Sequence, residues 1–401
     1  MVVLRSGPVV ASGAAGSFRP AWAAVDLGAL GRNVATLCEV VRPAALCAVV
    51  KADGYGHGAA PVASAALAAG ASCLAVALVE EAIELREAGI AQPVLLLSEP
   101  PADALDAAVA AGVTLTVYTP ETILRLGAAA RRAATTVSVH LKVDTGMHRV
   151  GAAPAALVAL AAAVDEEAGL GLEGVWTHLA VADGAGDDDR DYTRAQLDRF
   201  DDARSRLGGS RTPGLVLHAA NSAGAIAWPR ARYDLVRCGI ALYGPSPGPA
   251  ATAALADLGI GRLEPVLSLR ARVVAVRTLG AGERPSYGRL RPLPEESVVA
   301  TVPLGYADGV PRALFDGGFE VLVGGRRCPL AGMVTMDQIL VDCGPNATVT
   351  VGDEVVLLGS QGDEEITADE WASRLGTISY EVLCGVGPRV PRRYTGPPPP
   401  G

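Results

Sequence analysis

Between residues 46 and 241 one unit repeats eight times: a short apolar run, then a helix or a helical turn. The runs are 46–51, 73–78, 94–98, 114–118, 137–143, 172–178, 215–218 and 235–241. Ala-rich segments with helical spacing separate them, at 59–69, 79–88, 102–111, 120–133 and 154–167. A strand that is apolar at successive positions is buried on both faces, which happens in a parallel sheet covered by helices. Eight such units close into a parallel (β/α)8, TIM-like barrel. An open doubly wound sheet is the alternative, but no GxGxxG follows the first strand. Half of the 401 residues are apolar and only 4% aromatic, so the helices are expected to pack closely on small side chains.

A short strand (22–27) and a helix (28–41) precede the repeat. Beyond residue 245 the period changes. Residues 266–278 alternate, Gly and Asp-Gly turn signals follow, and strand-like runs recur at 297–303, 319–323, 338–342 and 349–358. That pattern predicts a mostly antiparallel C-terminal β-barrel domain. The expected organisation is a disordered leader (1–20), a barrel (28–250), a Pro, Ala and Gly linker near 245–262, a β domain (256–394) and a disordered tail (395–401).

The net charge of −9 leaves no basic footprint for nucleic acid or an anionic membrane. No run is long and apolar enough for a transmembrane helix. The seven cysteines are scattered without a CxxC pair, which argues against a disulfide framework or a structural metal site and suits the cytoplasm. Ser, Gly and Pro interrupt the apolar residues of the first 24 positions, so a disordered leader fits better than a signal peptide.

Residues that end barrel strands converge on one mouth. Lys51, Lys142, His178, His218 and Arg237 all end or interrupt apolar runs. A lysine held there is desolvated, which lowers its pKa and prepares it to attack a carbonyl. The alternative is a strand-end lysine that reaches solvent. Asn221-Ser222 opens the segment after strand seven, either as an anion site or as an ordinary helix cap. Arg237-Cys238-Gly239-Ile240 supplies the other side, unless Arg237 pairs with Asp234 or Glu264.

The segment from Val49 to Gly58 (VVKADGYGHG) resembles the pyridoxal-phosphate attachment motif of the alanine racemase family. Further segments match that family in order. They are Lys142 to Arg149 (KVDTGMHR), His218 with Asn221-Ser222, Arg237 with Gly239-Ile240, Ser286 to Arg289, Gly305 to Gly309, Met333 to Gln338, Thr377 to Glu381 and Pro388 to Arg392. The resemblance covers about Trp22 to Tyr394 and implies a fold type III enzyme in which strand 21–27 joins the β domain. Lys51 would carry pyridoxal 5'-phosphate as a Schiff base. Tyr55, Ser222 with its neighbour Asn221, Gly239, Ile240 and Tyr380 would hold the phosphate. Arg237 would meet the pyridine nitrogen, oriented by His178. Lys142 would be carbamylated and position Arg149 against the cofactor phenolate and the substrate carboxylate. Tyr287, from the partner subunit of a homodimer, would be the second base opposite Lys51. Tyr306 would stand at the entrance and Met336 near the substrate carboxylate.

The activity so implied is interconversion of L- and D-alanine by a two-base mechanism, supplying D-alanine for peptidoglycan. An arginine is effectively never deprotonated, so at the ring nitrogen it suits racemisation better than transamination. Gly54, His148 and Thr335 depart from the commoner family residues. The alternatives are a racemase of another small amino acid, such as serine, and a non-catalytic pyridoxal-phosphate binding protein.

Overall fold

The computed structural model describes residues 18–208 and 214–396. The expected leader and tail therefore fall outside the described residues, apart from 18–20 and 395–396. The described chain clusters into two compact units. One comprises residues 24–268, 367–387 and 392–396, the other residues 18–23, 269–366 and 388–391.

After β1 (Ala21–Asp26) the first unit builds eight parallel strands. They are β2 (Ala45–Val49), β3 (Cys73–Val76), β4 (Val94–Leu96), β5 (Thr114–Val117), β6 (Val137–Lys142), β7 (Leu170–Trp176), β8 (Val216–His218) and β9 (Leu235–Cys238). Their spatial order is β8-β7-β6-β5-β4-β3-β2-β9, so β2 pairs with both β3 and β9 and the sheet curls back on itself. No ladder joins β8 to β9 among the described residues. There the Leu217 amide donates to the Asp234 carboxylate (2.8 Å), and the Asp234 amide donates to the Leu217 carbonyl (3.0 Å). The result is a nearly closed barrel. Each of the eight runs read from the sequence is one of its strands.

Helices cover the strands, and several have legible starts. Leu27–Val41 is capped by Asp26, whose carboxylate accepts from the Ala29 amide (3.0 Å). Pro120–Arg132 starts at Thr119 with proline in its first turn, and buries Ile123, Leu126, Ala129 and Ala130 on one face. The expected linker instead contains a helix, Pro249–Asp257. Proline pre-sets the first helical turn and alanine is the best helix former, so a Pro- and Ala-rich stretch after glycine starts a helix as readily as it makes a linker.

In the second unit the alternating run 266–278 divides at Val273-Val274. β10 (Leu267–Arg272) and β11 (Ala275–Leu279) enter different sheets. From Leu269 onward β10 pairs antiparallel with β16 (Glu354–Gln361). β16 pairs with β13 (Glu320–Val323), and β13 with β14 (Arg326–Pro329). β11, β12 (Ser297–Val302) and β15 (Ile339–Asp342) form an antiparallel three-stranded sheet, and β17 (Glu364–Ile366) pairs with β16. The sequence places residues 367–387 in this domain. They form helices Ala368–Leu375 and Ser379–Cys384 and by contacts cluster with the barrel, where the Tyr380 ring lies 6.2 Å from that of Tyr55.

A buried carboxylate in the second unit pairs with Arg19 and, at 3.5 Å, with Arg389. Asp308 is fully buried, accepts from the Gly305 amide (2.9 Å) and takes two hydrogen bonds from the Arg19 guanidinium, one of 2.6 Å. Removing one partner of a buried pair strands the other. Asp308→Ala is expected to destabilise the protein by about 3 kcal/mol in urea unfolding. A loss below about 1 kcal/mol, as for a surface pair, would contradict this burial argument.

Candidate active site

The chain leaves β2 through a single left-handed turn. Ala52, Asp53, Gly54 and Tyr55 all have φ between +51° and +60°. For residues with a Cβ this conformation costs about 1–2 kcal/mol each. Hydrogen bonds hold it: the Gly54 amide donates to the Val50 carbonyl (2.9 Å) and the Ala52 amide to the Glu81 carboxylate (2.6 Å). Asp53 then accepts from the Ala59 amide (2.8 Å), which begins the next helix. Strain stored this way is common where a reactive side chain must be presented. Here it follows directly on Lys51.

Lys51 lines a cavity of about 540 Å³ within the barrel unit. The same cavity is lined by Tyr55, Lys142, Arg149, His178, Asn221, Ser222, Arg237, Gly239, Ile240 and Tyr380. Residues picked out along more than 300 positions of sequence thus meet in one place. Tyr287, Tyr306 and Met336 do not line it; they belong to the other unit and are exposed there (74%, 43% and 52%). Tyr287 lines a shallower cavity of about 360 Å³ with Ser286, Thr335, Gln338 and Leu340. The loops carrying these three residues are tied together. Ser286 Oγ donates to the Met333 carbonyl (2.8 Å), and the Tyr306 and Ala307 amides donate to the Thr335 and Met336 carbonyls (both 3.0 Å).

The barrel cavity is strongly cationic. Lys51, Lys142, Arg149 and Arg237 line it, and no carboxylate among the described residues does. Burial lowers the Lys51 pKa, and the charge of Arg149 lowers it further. The same two causes, burial first and then the Arg237 and Arg149 charges, bring Lys142 down to about 7. Burial and the Arg237 charge hold His178 well below the usual histidine range, so it is neutral at pH 7. Lys51 and Lys142 are also the only lysines in the chain; every other basic side chain is an arginine or one of five histidines. Lysine sheds its proton on burial far more readily than arginine. Lys142 therefore stands where a neutral amine is within reach at pH 7, and Lys51 is shifted in the same direction.

Arg237 is buried and, among the described residues, has no carboxylate as a hydrogen-bond partner. Its Nη1 donates to His218 Nδ1 (2.8 Å), and its Nη2 reaches the Thr177 carbonyl (2.9 Å), the Ala219 carbonyl (3.0 Å) and His178 Nδ1 (3.2 Å). Asp234 is engaged at the β8–β9 seam and Glu264 pairs with Arg32 (2.7 Å), so neither neutralises it. Trp176, which the sequence reading did not single out, forms the floor. The Arg237 guanidinium lies 4.4 Å and Lys142 Nζ 4.2 Å from its ring centroid. Its position two residues before His178, in phase with it along the apolar run 172–178, was the available signal.

Opposite Arg237, Ser222 Oγ accepts from the Gly239 amide (2.9 Å), and Asn221 Oδ1 caps its helix at the Gly224 amide (2.9 Å). A Cβ on Gly239 would fall 2.3 Å from the Tyr55 hydroxyl, so only glycine lets that hydroxyl approach this backbone.

Two family patterns cover most of the chain: "Alanine racemase, N-terminal domain" matches residues 25–247 and "Alanine racemase, C-terminal domain" residues 266–394. The alanine racemase of Symbiobacterium thermophilum is 44% identical over 94% of this chain and 98% of its own length. The crystal structure of alanine racemase from Bacillus anthracis superposes with a TM-score of 0.86 at 37% identity, covering 95% of this chain and 96% of that one. The histidine racemase of Leuconostoc mesenteroides, at 29% identity, gives a TM-score of 0.83 over 95% of this chain and 99% of that one. With both family domains matched and relatives this close along nearly the whole length, the chain belongs to the alanine racemase family.

Proposed function

We propose that this protein interconverts L- and D-alanine with pyridoxal 5'-phosphate bound through Lys51. One observation carries the reading: an amine with a lowered pKa lines a cavity that has four cationic side chains and no acid. The donor set fits the cofactor. The Ser222, Tyr55 and Tyr380 hydroxyls beside the Gly239 and Ile240 backbone suit a phosphate. Arg237, which is donor-only, suits the ring nitrogen. The cofactor, when bound, supplies the electron sink that makes the Cα proton of an amino acid removable.

The protein's own side chains do the rest. Arg149 offers a bidentate guanidinium to the substrate carboxylate. Lys142, poised near pH 7, is available for carbamylation, which would turn a cation into an anion that pairs with Arg149. Lys51 holds or releases a proton on one face of Cα. Tyr287, contributed by the partner subunit of a homodimer, does so on the other, with Tyr306 and Met336 completing the entrance and the carboxylate side. D-alanine made in the cytoplasm in this way serves peptidoglycan synthesis.

Two measurements test this assembly. Borohydride reduction of the holoenzyme followed by peptide mass spectrometry is expected to find the cofactor on Lys51. Cofactor on Lys142 would reverse the roles of the two lysines. Separately, inactive Lys51→Ala and Tyr287→Phe proteins are dissociated, mixed and reassociated. If each site draws Tyr287 from the partner, half of the dimers are mixed and each regains one intact site, restoring about a quarter of wild-type activity. No recovery from demonstrably mixed dimers would confine the site to one chain.

A further inference from the structure

A line of polar side chains crosses the barrel interior from its N-terminal end to the cavity. Arg237 Nη1 lies 2.8 Å from His218 Nδ1, and His218 Nε2 lies 2.8 Å from His140 Nδ1. His140 Nε2 lies 3.5 Å from the Glu173 carboxylate. His218 is fully buried and His140 nearly so, whereas Glu173 is about half exposed and also accepts from Thr114 Oγ1 (3.2 Å) at the start of β5. Trp176 stacks flat against His218, 5.4 Å away at 8° between planes. A Cβ on Gly174 would sit 2.6 Å from the His140 ring, so the residue after Glu173 must be glycine for that imidazole to fit.

The donor directions follow from chemistry alone. Arginine can only donate, so His218 Nδ1 accepts and its proton sits on Nε2. That proton goes to His140 Nδ1, which leaves His140 with its own proton on Nε2, facing a carboxylate that only accepts. Every link is then fixed in the same sense. The carboxylate end strengthens each acceptor above it, because hydrogen bonds in a chain polarise one another.

We propose that Glu173 is a positioning residue for Arg237: it terminates a one-way chain, Arg237 to His218 to His140 to Glu173, that fixes both imidazole tautomers and holds the guanidinium on the cavity wall. This rests on the reading above in taking Arg237 as part of the reacting site. It accounts for how a buried guanidinium with no carboxylate among its hydrogen-bond partners in the described residues is held, and for two buried histidines lying between it and a half-exposed carboxylate.

The test uses ¹⁵N-histidine-labelled holoenzyme. With five histidines in the chain, long-range ¹H–¹⁵N spectra can be resolved residue by residue. Both His140 and His218 are expected as Nε2–H tautomers. Glu173→Gln keeps an acceptor but removes the charge; it is expected to shift the His218 nitrogens and to lower kcat by about tenfold while KM changes by less than about twofold. The proposal is overturned if either imidazole carries its proton on Nδ1 or is doubly protonated. It is equally overturned if Glu173→Gln leaves kcat within about twofold of wild type. Should the variant fail to fold, the wild-type tautomers decide alone. Should the wild type not racemise alanine, the function reading fails, while the tautomer pattern still tests the chain.

Discussion

Lys51→Ala is expected to abolish racemisation in both directions, a loss of roughly 10⁵-fold or more, as when a covalent nucleophile is removed. The size follows from two roles carried by one amine. Lys51 is the proposed attachment point of the cofactor and also one of the two proton-transfer groups. Burial, and then the Arg149 charge, lower its pKa from the ordinary lysine value, which favours the neutral, nucleophilic amine. Lys142 is not expected to take over. It shares the cavity, but its proposed part is to carry charge for Arg149, so Lys142→Ala should cost far less than Lys51→Ala. Chiral chromatography of alanine incubated with each variant measures both losses. Substantial residual turnover in Lys51→Ala would remove Lys51 from the centre of the mechanism.

Tyr287→Phe removes a single hydroxyl and is expected to slow racemisation by about 10³-fold, the usual scale for one acid–base group. The more telling readout is α-proton exchange with deuterated water. In the proposed mechanism Tyr287 takes the α-proton of L-alanine and Lys51 that of D-alanine. In Tyr287→Phe, D-alanine should still exchange its α-proton through Lys51 without inverting, while exchange from L-alanine falls with racemisation. Symmetric exchange from both enantiomers would mean that one group serves both faces, and the two-base assignment would be wrong.

Much of this was legible in the sequence, for identifiable reasons. The eight barrel strands stood out because burial on both faces makes them continuously apolar, and Lys51, Lys142, His178, His218 and Arg237 stood out because polar residues interrupt such runs only at a cost. Four features were not legible. The left-handed turn after β2 involves Ala52, Asp53 and Tyr55, none of which announces positive φ as a run of glycines would. The break between β10 and β11 falls within an unbroken alternation. The helix Pro249–Asp257 has the composition of a linker. Glu173 and His140 sit inside strands where a single sequence gives no sign that they touch, since register and not spacing brings β6, β7 and β8 side by side. One signal lay in plain view: a chain that otherwise uses arginine keeps lysine at two positions, and both line the cavity.

The most direct measurement is D-alanine formation from L-alanine by the holoenzyme, run beside serine and histidine, because the fold is shared with a histidine racemase. Enantiomers have equal free energies, so the predicted result is rapid, Lys51-dependent approach to equal amounts of D- and L-alanine, faster than for the other two. Failure to form D-alanine by protein with cofactor demonstrably attached at Lys51 would contradict the proposed activity.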